Sequence, residues 1–387
     1  MIAYNNAWLD NKEASEEIDN AFADNSITGE ENAAALALYP TNFYTPNIFI
    51  RIGLFLLSIV IIGFSFGLLS LLFLTSSNEI ESAVATLCIL FGIACYAALE
   101  WFVQAKNHRQ SGVDDALLWM APGFILTGIN FISNIGPLTN AILVLLLAVF
   151  LTLRFADRLM AVVASGALLA VVFLAFLRLG DAAKNGLPFV MMLASALIYF
   201  VSKKVAILPA SKYYRDCLTV TSIAGLVAVY ISGNYFVVRE TSSEFFNLQS
   251  APGESIPFGW LFWIFTAAIP LFYILMGIIK KDAILLRTGL LLVAAIVFTI
   301  RHYYYKMPIE TLMIIGGLLM TAVAYVLIKY LKQPKAGFTS EARNNDKASS
   351  NIEALIIAET MSGAAPAETG TQFGGGSFGG GGASGEY

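Results

Sequence analysis

The sequence has few charged residues: Asp, Glu, Lys and Arg make up 13% of its 387 residues, whereas soluble domains carry roughly a quarter. Hydrophobic residues make up 57% of the chain, and the mean hydropathy is +0.71. A soluble fold cannot hide so large an apolar surface from water. The composition therefore excludes an ordinary soluble domain and indicates a multi-pass membrane protein.

Histidine and cysteine are also scarce, with two and three residues. The cysteines lie inside or near apolar segments, so no disulfide framework is indicated. The motifs HExxH, CxxC and GxxxxGK[ST] do not occur. These absences favour a non-enzymatic protein over an enzyme, and we predict no catalytic, cofactor-binding or metal-binding residues, no cofactor and no nucleic-acid partner. The adjacent pair Asp114 and Asp115 could hold Mg²⁺, but Asp at a helix start more simply caps the helix.

The chain divides into three regions by composition. Residues 1–46 are polar and acidic, and Thr28 and Glu31 have the spacing of a capping box, so we predict a helical hairpin over residues 7–38. Residues 47–332 are predominantly apolar and form a transmembrane domain. Residues 333–387 lack apolar periodicity and end in glycine runs, which predicts a flexible tail.

The apolar region separates into about ten segments, most of them near the roughly 20 residues that cross a bilayer. The fold class is therefore all-α: a polytopic transmembrane helical bundle with a small N-terminal hairpin and a disordered glycine-rich tail. The predicted spans are 49–74, 83–104, 115–134, 137–153, 157–177, 186–201, 217–238, 257–279, 283–301 and 309–331.

Basic residues predict the orientation. If the N-terminus is cytoplasmic, only Arg178, Lys184, Arg239, Arg301 and Lys306 of the 23 Lys and Arg residues face outward. The positive-inside rule then places both termini in the cytoplasm of a bacterium, with the chain in the inner membrane. His108 and His302 fall on opposite sides of the membrane, so they cannot act together.

Polar residues inside the spans are few, and the charged ones fall at span ends, which argues against proton-coupled transport. In the third span Thr127, Asn130 and Asn134 share one helix face. They could line a polar pathway or contact a lipid head group. Interhelical hydrogen bonding explains them more simply.

A short outer segment gathers aromatic and charged residues, and it could bind an anionic glycan or lipid head group. An aromatic belt at the membrane interface accounts for it as well. The residues in this predicted outer-face cluster are Arg301, Tyr303, Lys306 and Glu310.

The tail ends in "FGGGSFGGGGASGEY", with an aromatic residue that carries the terminal carboxylate. Terminal carboxylates are bound by backbone amide groups of partner proteins. We therefore interpret the tail either as a plain linker or as an element recognised by a protein partner. The residues predicted to be recognised are Phe373, Phe378, Glu386 and Tyr387.

The layout of "NKEASEEIDNAFADNSITGEENAAAL" followed by "RIGLFLLSIVIIGFSFGLL" and further spans resembles uncharacterised bacterial inner-membrane families of the DUF2157 and DUF4401 kind. The late segments "LLRTGLLLVAAIVF" and "MIIGGLLMTAVAYVLI" are similar to their closing pair of helices. The resemblance covers most of residues 7–332 and implies no activity and no site residue. The tail is similar to the glycine-rich ends of some TPM-domain proteins, which commonly end in Trp where this chain has Tyr387.

Three functions remain open on these observations. The first is a scaffold or partner-recruiting component of an envelope process, in contact with membrane lipids. The second is a facilitator for a neutral or lipid-like solute, lined by Thr127, Asn130 and Asn134. The third is a membrane-bound transferase for a lipid-linked substrate, which would use Arg301, Glu310, Glu240 and Glu254.

Overall fold

A computed structural model describes residues 2–74, 80–133, 135–180, 183–246 and 257–303, together with single positions between 314 and 329. The described residues form twelve α-helices and contain no β-strand. The helices are α1 (Asn6–Ala23), α2 (Gly29–Leu38), α3 (Ile48–Leu74), α4 (Ile80–Ala105), α5 (Val113–Ile132), α6 (Pro137–Phe155), α7 (Arg158–Leu177), α8 (Ala183–Ala206), α9 (Arg215–Gly233), α10 (Tyr235–Phe246), α11 (Gly259–Lys280) and α12 (Ala283–Tyr303). A short 3-10 helix, Pro209–Tyr214, joins α8 to α9.

Nine helical segments of the described chain are long and apolar enough to cross a membrane. They are α3 to α9 and α11 to α12, with the 3-10 helix forming the first part of the α9 segment, Pro209–Gly233. These segments correspond to the first nine spans predicted from the sequence, and the tenth, 309–331, lies largely outside the described residues. The all-helical, multi-pass fold class is confirmed.

The N-terminal hairpin consists of α1 and α2. At the start of α2, the Thr28 hydroxyl accepts a hydrogen bond from the Glu31 backbone N–H at 3.3 Å, and the Glu31 carboxylate accepts one from the Thr28 N–H at 2.8 Å. These bonds satisfy two N–H groups that a helix start leaves without a partner. The bond from the Thr28 backbone lowers the pKa of Glu31. The capping box predicted from the sequence is confirmed.

The seventh span ends five residues earlier than its sequence suggested. The prediction extended to residue 238, whereas α9 ends at Gly233 and α10 begins at Tyr235. Between them, the buried Asn234 accepts a hydrogen bond from the Phe236 N–H at 3.0 Å and donates one to Thr299 Oγ1 at 2.9 Å. The residues after Asn234 are apolar, so hydropathy alone could not locate a break that depends on a side-chain cap.

Successive helices pack as antiparallel pairs: α4 with α5, α6 with α7, α8 with α9, and α11 with α12. The α4–α5 pair is closest at Gly92 and Gly128. A Cβ atom on Gly128 would lie 2.7 Å from the Ala85 carbonyl oxygen, and one on Gly92 would lie 2.9 Å from the Ala121 carbonyl oxygen. Small residues at such positions let two helix backbones approach, which is how helices associate where lipid removes the hydrophobic driving force.

We expect Gly128→Ala to destabilise the protein by about 1–3 kcal/mol, because an added methyl group would overpack this contact. Gly123→Ala on the same helix is the matched control and is expected to be neutral, since no described atom lies within 4 Å of the added methyl group. Thermal unfolding of both variants in the same detergent measures the difference. Equal losses of stability would contradict the close α4–α5 contact.

Candidate functional site

The basic loops and the N-terminal hairpin lie at one end of the bundle, here called the inner end. The Ala3 N–H donates to the Arg154 carbonyl at 2.8 Å, and the Tyr44 N–H donates to the Asn107 carbonyl at 3.0 Å. Lys203, at the end of α8, forms an ion pair with Asp282, which lies between α11 and α12. The hairpin, the loop after α4, the turn after α6 and the ends of α8 and α11 therefore share one side of the molecule.

Ion pairs hold α1 against the 3-10 helix and the start of α9. Lys212 Nζ lies 2.8 Å from Asp10 Oδ1 and 3.1 Å from Glu13 Oε2. Arg215 Nη1 lies 3.3 Å from Glu13 Oε1, and the Tyr213 hydroxyl donates to Asp10 at 3.1 Å. The bonds from Lys212 and Tyr213 lower the pKa of Asp10. The acidic hairpin is thus fastened to a basic segment about 200 residues further along the chain.

The loop between α4 and α5 is closed by the two adjacent carboxylates predicted to cap α5. Asp114 accepts hydrogen bonds from the backbone N–H groups of Gln110 at 2.7 Å and Ser111 at 2.8 Å. Asp115 accepts from Arg51 Nε at 2.7 Å and so ties the loop to α3. The capping interpretation is confirmed for Asp115, which also accepts from the Gly112 N–H at 3.2 Å, whereas Asp114 bonds to the loop before the helix. In the described part of the chain, no three His, Cys, Asp or Glu side chains come together as a metal site.

The same loop contains a buried chain of polar side chains. His108 Nδ1 lies 2.7 Å from Ser111 Oγ, which donates to Asp114 Oδ1 at 2.8 Å. Burial lowers the pKa of His108. The serine lies between the other two residues and is fully buried, so it is not presented to a substrate as a nucleophile would be. These hydrogen bonds between His108, Ser111 and Asp114 hold the loop between α4 and α5 in place.

A groove of about 510 Å³ opens on the side of the bundle. Its walls come from α6, α7, α8, the 3-10 helix and α9. Its apolar lining includes Val149, Ala164, Leu168, Val201, Val205 and Leu218. Most of these residues lie in the halves of their helices that are nearer to the inner end, so the groove lies mainly in that half of the bundle.

Five of the six hydroxyl groups in the groove donate to backbone carbonyl groups of the protein, and Thr221 is the exception. Ser165 donates to the Ala161 carbonyl at 2.8 Å, and the Tyr214 hydroxyl donates to the Leu153 carbonyl at 2.7 Å. The bond from Tyr214 connects the end of the 3-10 helix to α6 and closes the inner end of the groove. With these hydroxyls engaged, the groove offers an apolar surface to whatever occupies it.

The predicted polar face of the third span lies elsewhere. Thr127 and Asn130 are exposed on the surface of α5, toward its outer end. The Asn130 side chain donates to the Leu126 carbonyl at 2.8 Å and to Asn140 Oδ1, on α6, at 3.4 Å. These residues border an open indentation that is separate from the groove. Asn134 lies outside the described residues.

The outer-face cluster is described only in part. Tyr303 packs against Tyr235 and Trp263, with ring centroids 5.1 and 5.6 Å apart, and the Arg239 guanidinium lies 5.4 Å from the Tyr303 ring. This packing agrees with an aromatic interface belt. Arg301 is partly exposed at the end of α12.

The two histidines lie at opposite ends of the bundle. His302 contacts Phe236 at the outer end, whereas His108 contacts Tyr44 at the inner end. The prediction that they cannot act together is confirmed.

Several predicted site residues lie outside the described part of the chain. They are Glu254, Lys306, Glu310, Phe373, Phe378, Glu386 and Tyr387. Conversely, the groove is not among the sites predicted from the sequence. One signal was present in the short "ILPASKYY" segment, where Pro209 interrupts the helices and small residues follow. Nothing in that signal indicates which helices would surround it.

Comparison of the chain with protein-family models, with curated proteins and with solved structures gives no match. The resemblance to the DUF2157 and DUF4401 kind of family and the similarity of the tail to TPM-domain proteins therefore stay predictions. The groove and the inner-end contacts provide the evidence for function that follows.

We expect the double variant Asp10→Asn/Glu13→Gln to release the hairpin, because it leaves Lys212 and Arg215 without their carboxylate partners. Hydrogen exchange of the α1 amides should then become faster. Glu17→Gln/Asp19→Asn is the matched control, since it removes the same charge from exposed positions of the same helix. Unchanged exchange in the first variant would show that the ion pairs do not hold the hairpin.

Acid should have the same effect as that variant. The folded-state pKa of Asp10 is lowered, so its contribution to docking is present above the ordinary Asp pKa of about 3.9 and is lost as the pH falls through the lower folded value. Docking should therefore persist from neutral pH to about pH 5.

Proposed function

We propose that this multi-pass membrane protein binds a membrane lipid, with one acyl chain lying in the groove between α6, α7, α8 and α9. The observation that carries the proposal is an open, apolar groove in the inner half of helices long and apolar enough to cross a membrane, with all but one of its hydroxyl groups already bonded to the protein. Lipid chains are what surrounds a protein at that depth. This proposal specifies the lipid-like ligand among the functions left open by the sequence.

The side of the membrane follows from the basic residues. We place the inner end of the bundle in the cytoplasm and the protein in a bacterial inner membrane, because the basic loops and the hairpin share that end and cytoplasmic loops are rich in Lys and Arg. An even number of spans would return the tail to the same side. On this placement, the groove faces lipids of the cytoplasmic leaflet.

The groove is a better candidate for the lipid than the face of Thr127 and Asn130. That face is exposed at the other end of the bundle, and the Asn130 amide is engaged by Leu126 and Asn140. The groove, in contrast, is a concave surface formed by four helices and a 3-10 helix. A concave site buries more of a chain than an open face does.

We expect Ala164→Phe to exclude the chain, because a phenyl group on the α7 wall would occupy the groove. Photolabelling of the reconstituted full chain with a phospholipid that carries a diazirine on its acyl chain measures occupancy, with mass spectrometry locating the label. Labelling of groove residues on α8 and α9 should fall at least about fivefold, a change of about 1 kcal/mol.

The control is Val162→Phe, which adds the same volume at a position of α7 that faces away from the groove and is 40% exposed. Its labelling should equal that of the parent protein. If both variants label like the parent protein, or if the parent labels no more in the groove than along α3, the proposed function is wrong.

A second proposal is that the protein recruits a partner at its inner end. The supporting observation is that α1 is fixed to the bundle by ion pairs, while α2 has no buried residue and presents its surface outward. A hairpin held in this way offers a rigid platform. The glycine-rich tail, with its terminal Tyr387, would be a second recognition element on the same side.

Crosslinking and pull-down from native membranes should test the tail, comparing the full chain with one that ends at Ala365. A partner that is lost on truncation would support recognition through Phe373, Phe378, Glu386 and Tyr387. Identical partners for both chains would assign any recruitment to the hairpin, and the Asp10→Asn/Glu13→Gln variant would then be the one to lose them.

A further inference from the structure

We infer that the lipid in the groove is a phospholipid with a net negative head group, and that Lys204 binds its phosphate. This inference rests on the proposed function and adds the head-group chemistry to it. The acyl chain alone gives little selectivity, because moving it from the bilayer into an apolar groove exchanges one apolar environment for another. Selectivity for a lipid must therefore come mainly from contacts with its head group.

Lys204 lies at the inner end of the groove. It lies two residues before the last residue of α8. Val201, three residues earlier, and Val205, the next residue, both line the groove. Residues three apart on a helix are neighbours on its surface. The lysine side chain is exposed, at a helix end where a charged group reaches the level of the head groups.

The other cations near this end of the groove are already neutralised. Lys203 pairs with Asp282, and Arg158 pairs with Asp216. Lys212 and Arg215 share the carboxylates of the hairpin. Asp157, a nearby carboxylate, caps α7 by accepting from the Met160 N–H at 2.7 Å.

Among the described residues, Lys204 has no carboxylate within ion-pair distance. Lys204 is thus a cation at the inner end of the groove that no carboxylate of the described chain pairs with. A head group with one net negative charge would neutralise it, whereas a zwitterionic head group would leave the excess charge in place. Charge complementarity therefore favours an anionic phospholipid.

A second cation is available on the opposite wall. Arg158 lies three residues before Ala161, which lines the groove on α7. The side chains of Arg158 and Asp216 are 55% and 65% exposed, and such exposed pairs are weak. Arg158 can therefore exchange part of its contact with Asp216 for a phosphate oxygen.

The alternative to phosphate binding is a purely structural role for Lys204, and the experiment has to distinguish the two. A cation in the last turn of a helix is favoured by the helix dipole whether or not a ligand binds. That role would affect stability equally in every lipid. Phosphate binding, in contrast, would make occupancy of the groove depend on the head group, so a comparison of head groups separates the two.

The experiment uses the full chain in phosphatidylcholine vesicles that contain a small fraction of a diazirine-acyl probe, with either a phosphatidylglycerol or a phosphatidylcholine head group. Groove labelling is divided by labelling along α3, which removes any general enrichment of anionic lipid around the protein. We expect the anionic probe to label the groove about fivefold more than the zwitterionic one, the factor expected for one lysine near anionic lipid.

Lys204→Gln should lower this ratio toward one while labelling by the zwitterionic probe persists. Lys280→Gln removes the same charge from an exposed position at the inner end of α11 and should leave the ratio unchanged. If the anionic-to-zwitterionic labelling ratio is unchanged in Lys204→Gln, or if it is one in the parent protein, the head-group inference alone is overturned. Absence of groove labelling by both probes would instead overturn the proposed function on which it rests.

Discussion

Ion pairs and charge-assisted hydrogen bonds at the inner end hold together parts of the chain that helix packing alone would leave apart. Asp10 and Glu13 reach Lys212 and Arg215, and Lys203 reaches Asp282. These charges lie at the inner end because hydrocarbon excludes unpaired charged groups, whereas the interface tolerates them. Once gathered there, they fix the hairpin, the loop before α5 and the 3-10 helix that closes the groove.

The same constraint explains an ion pair between two spans, Arg154 with Glu100. Arg154 Nε and Nη2 lie 2.8 and 2.9 Å from the two carboxylate oxygens of Glu100, and Tyr96 and Gln104 also donate to that carboxylate. A carboxylate with this many donors is compensated for its partial removal from water. The pair connects α4 to α6 close to the inner end, and the backbone carbonyl of Arg154 receives the N-terminal segment.

The groove follows from how the helices on either side are held. Tyr214 is bonded to α6 while its neighbours in the 3-10 helix are bonded to α1, so the segment closes the inner end without filling the space between α6 and α8. Four helices then surround an apolar concavity that the bilayer can fill with a lipid chain. Lys204 lies at the inner end of the groove. In our proposal the charged head group of the lipid lies there, and the acyl chain lies in the apolar interior.

Sequence alone determined the class of the protein, the approximate positions of nine spans, the capping box at Thr28 and Glu31, and the helix-capping role of Asp115. Each of these depends on residues close together in the chain, so composition and spacing are sufficient. Tertiary structure decided the rest. The buried side chain at the α9–α10 break is also held by Thr299, 65 residues away from Asn234, and the groove depends on side chains from four helices that are all apolar in sequence. Hydropathy records whether a residue prefers lipid to water, but only packing decides whether it faces lipid, another helix or a space between helices.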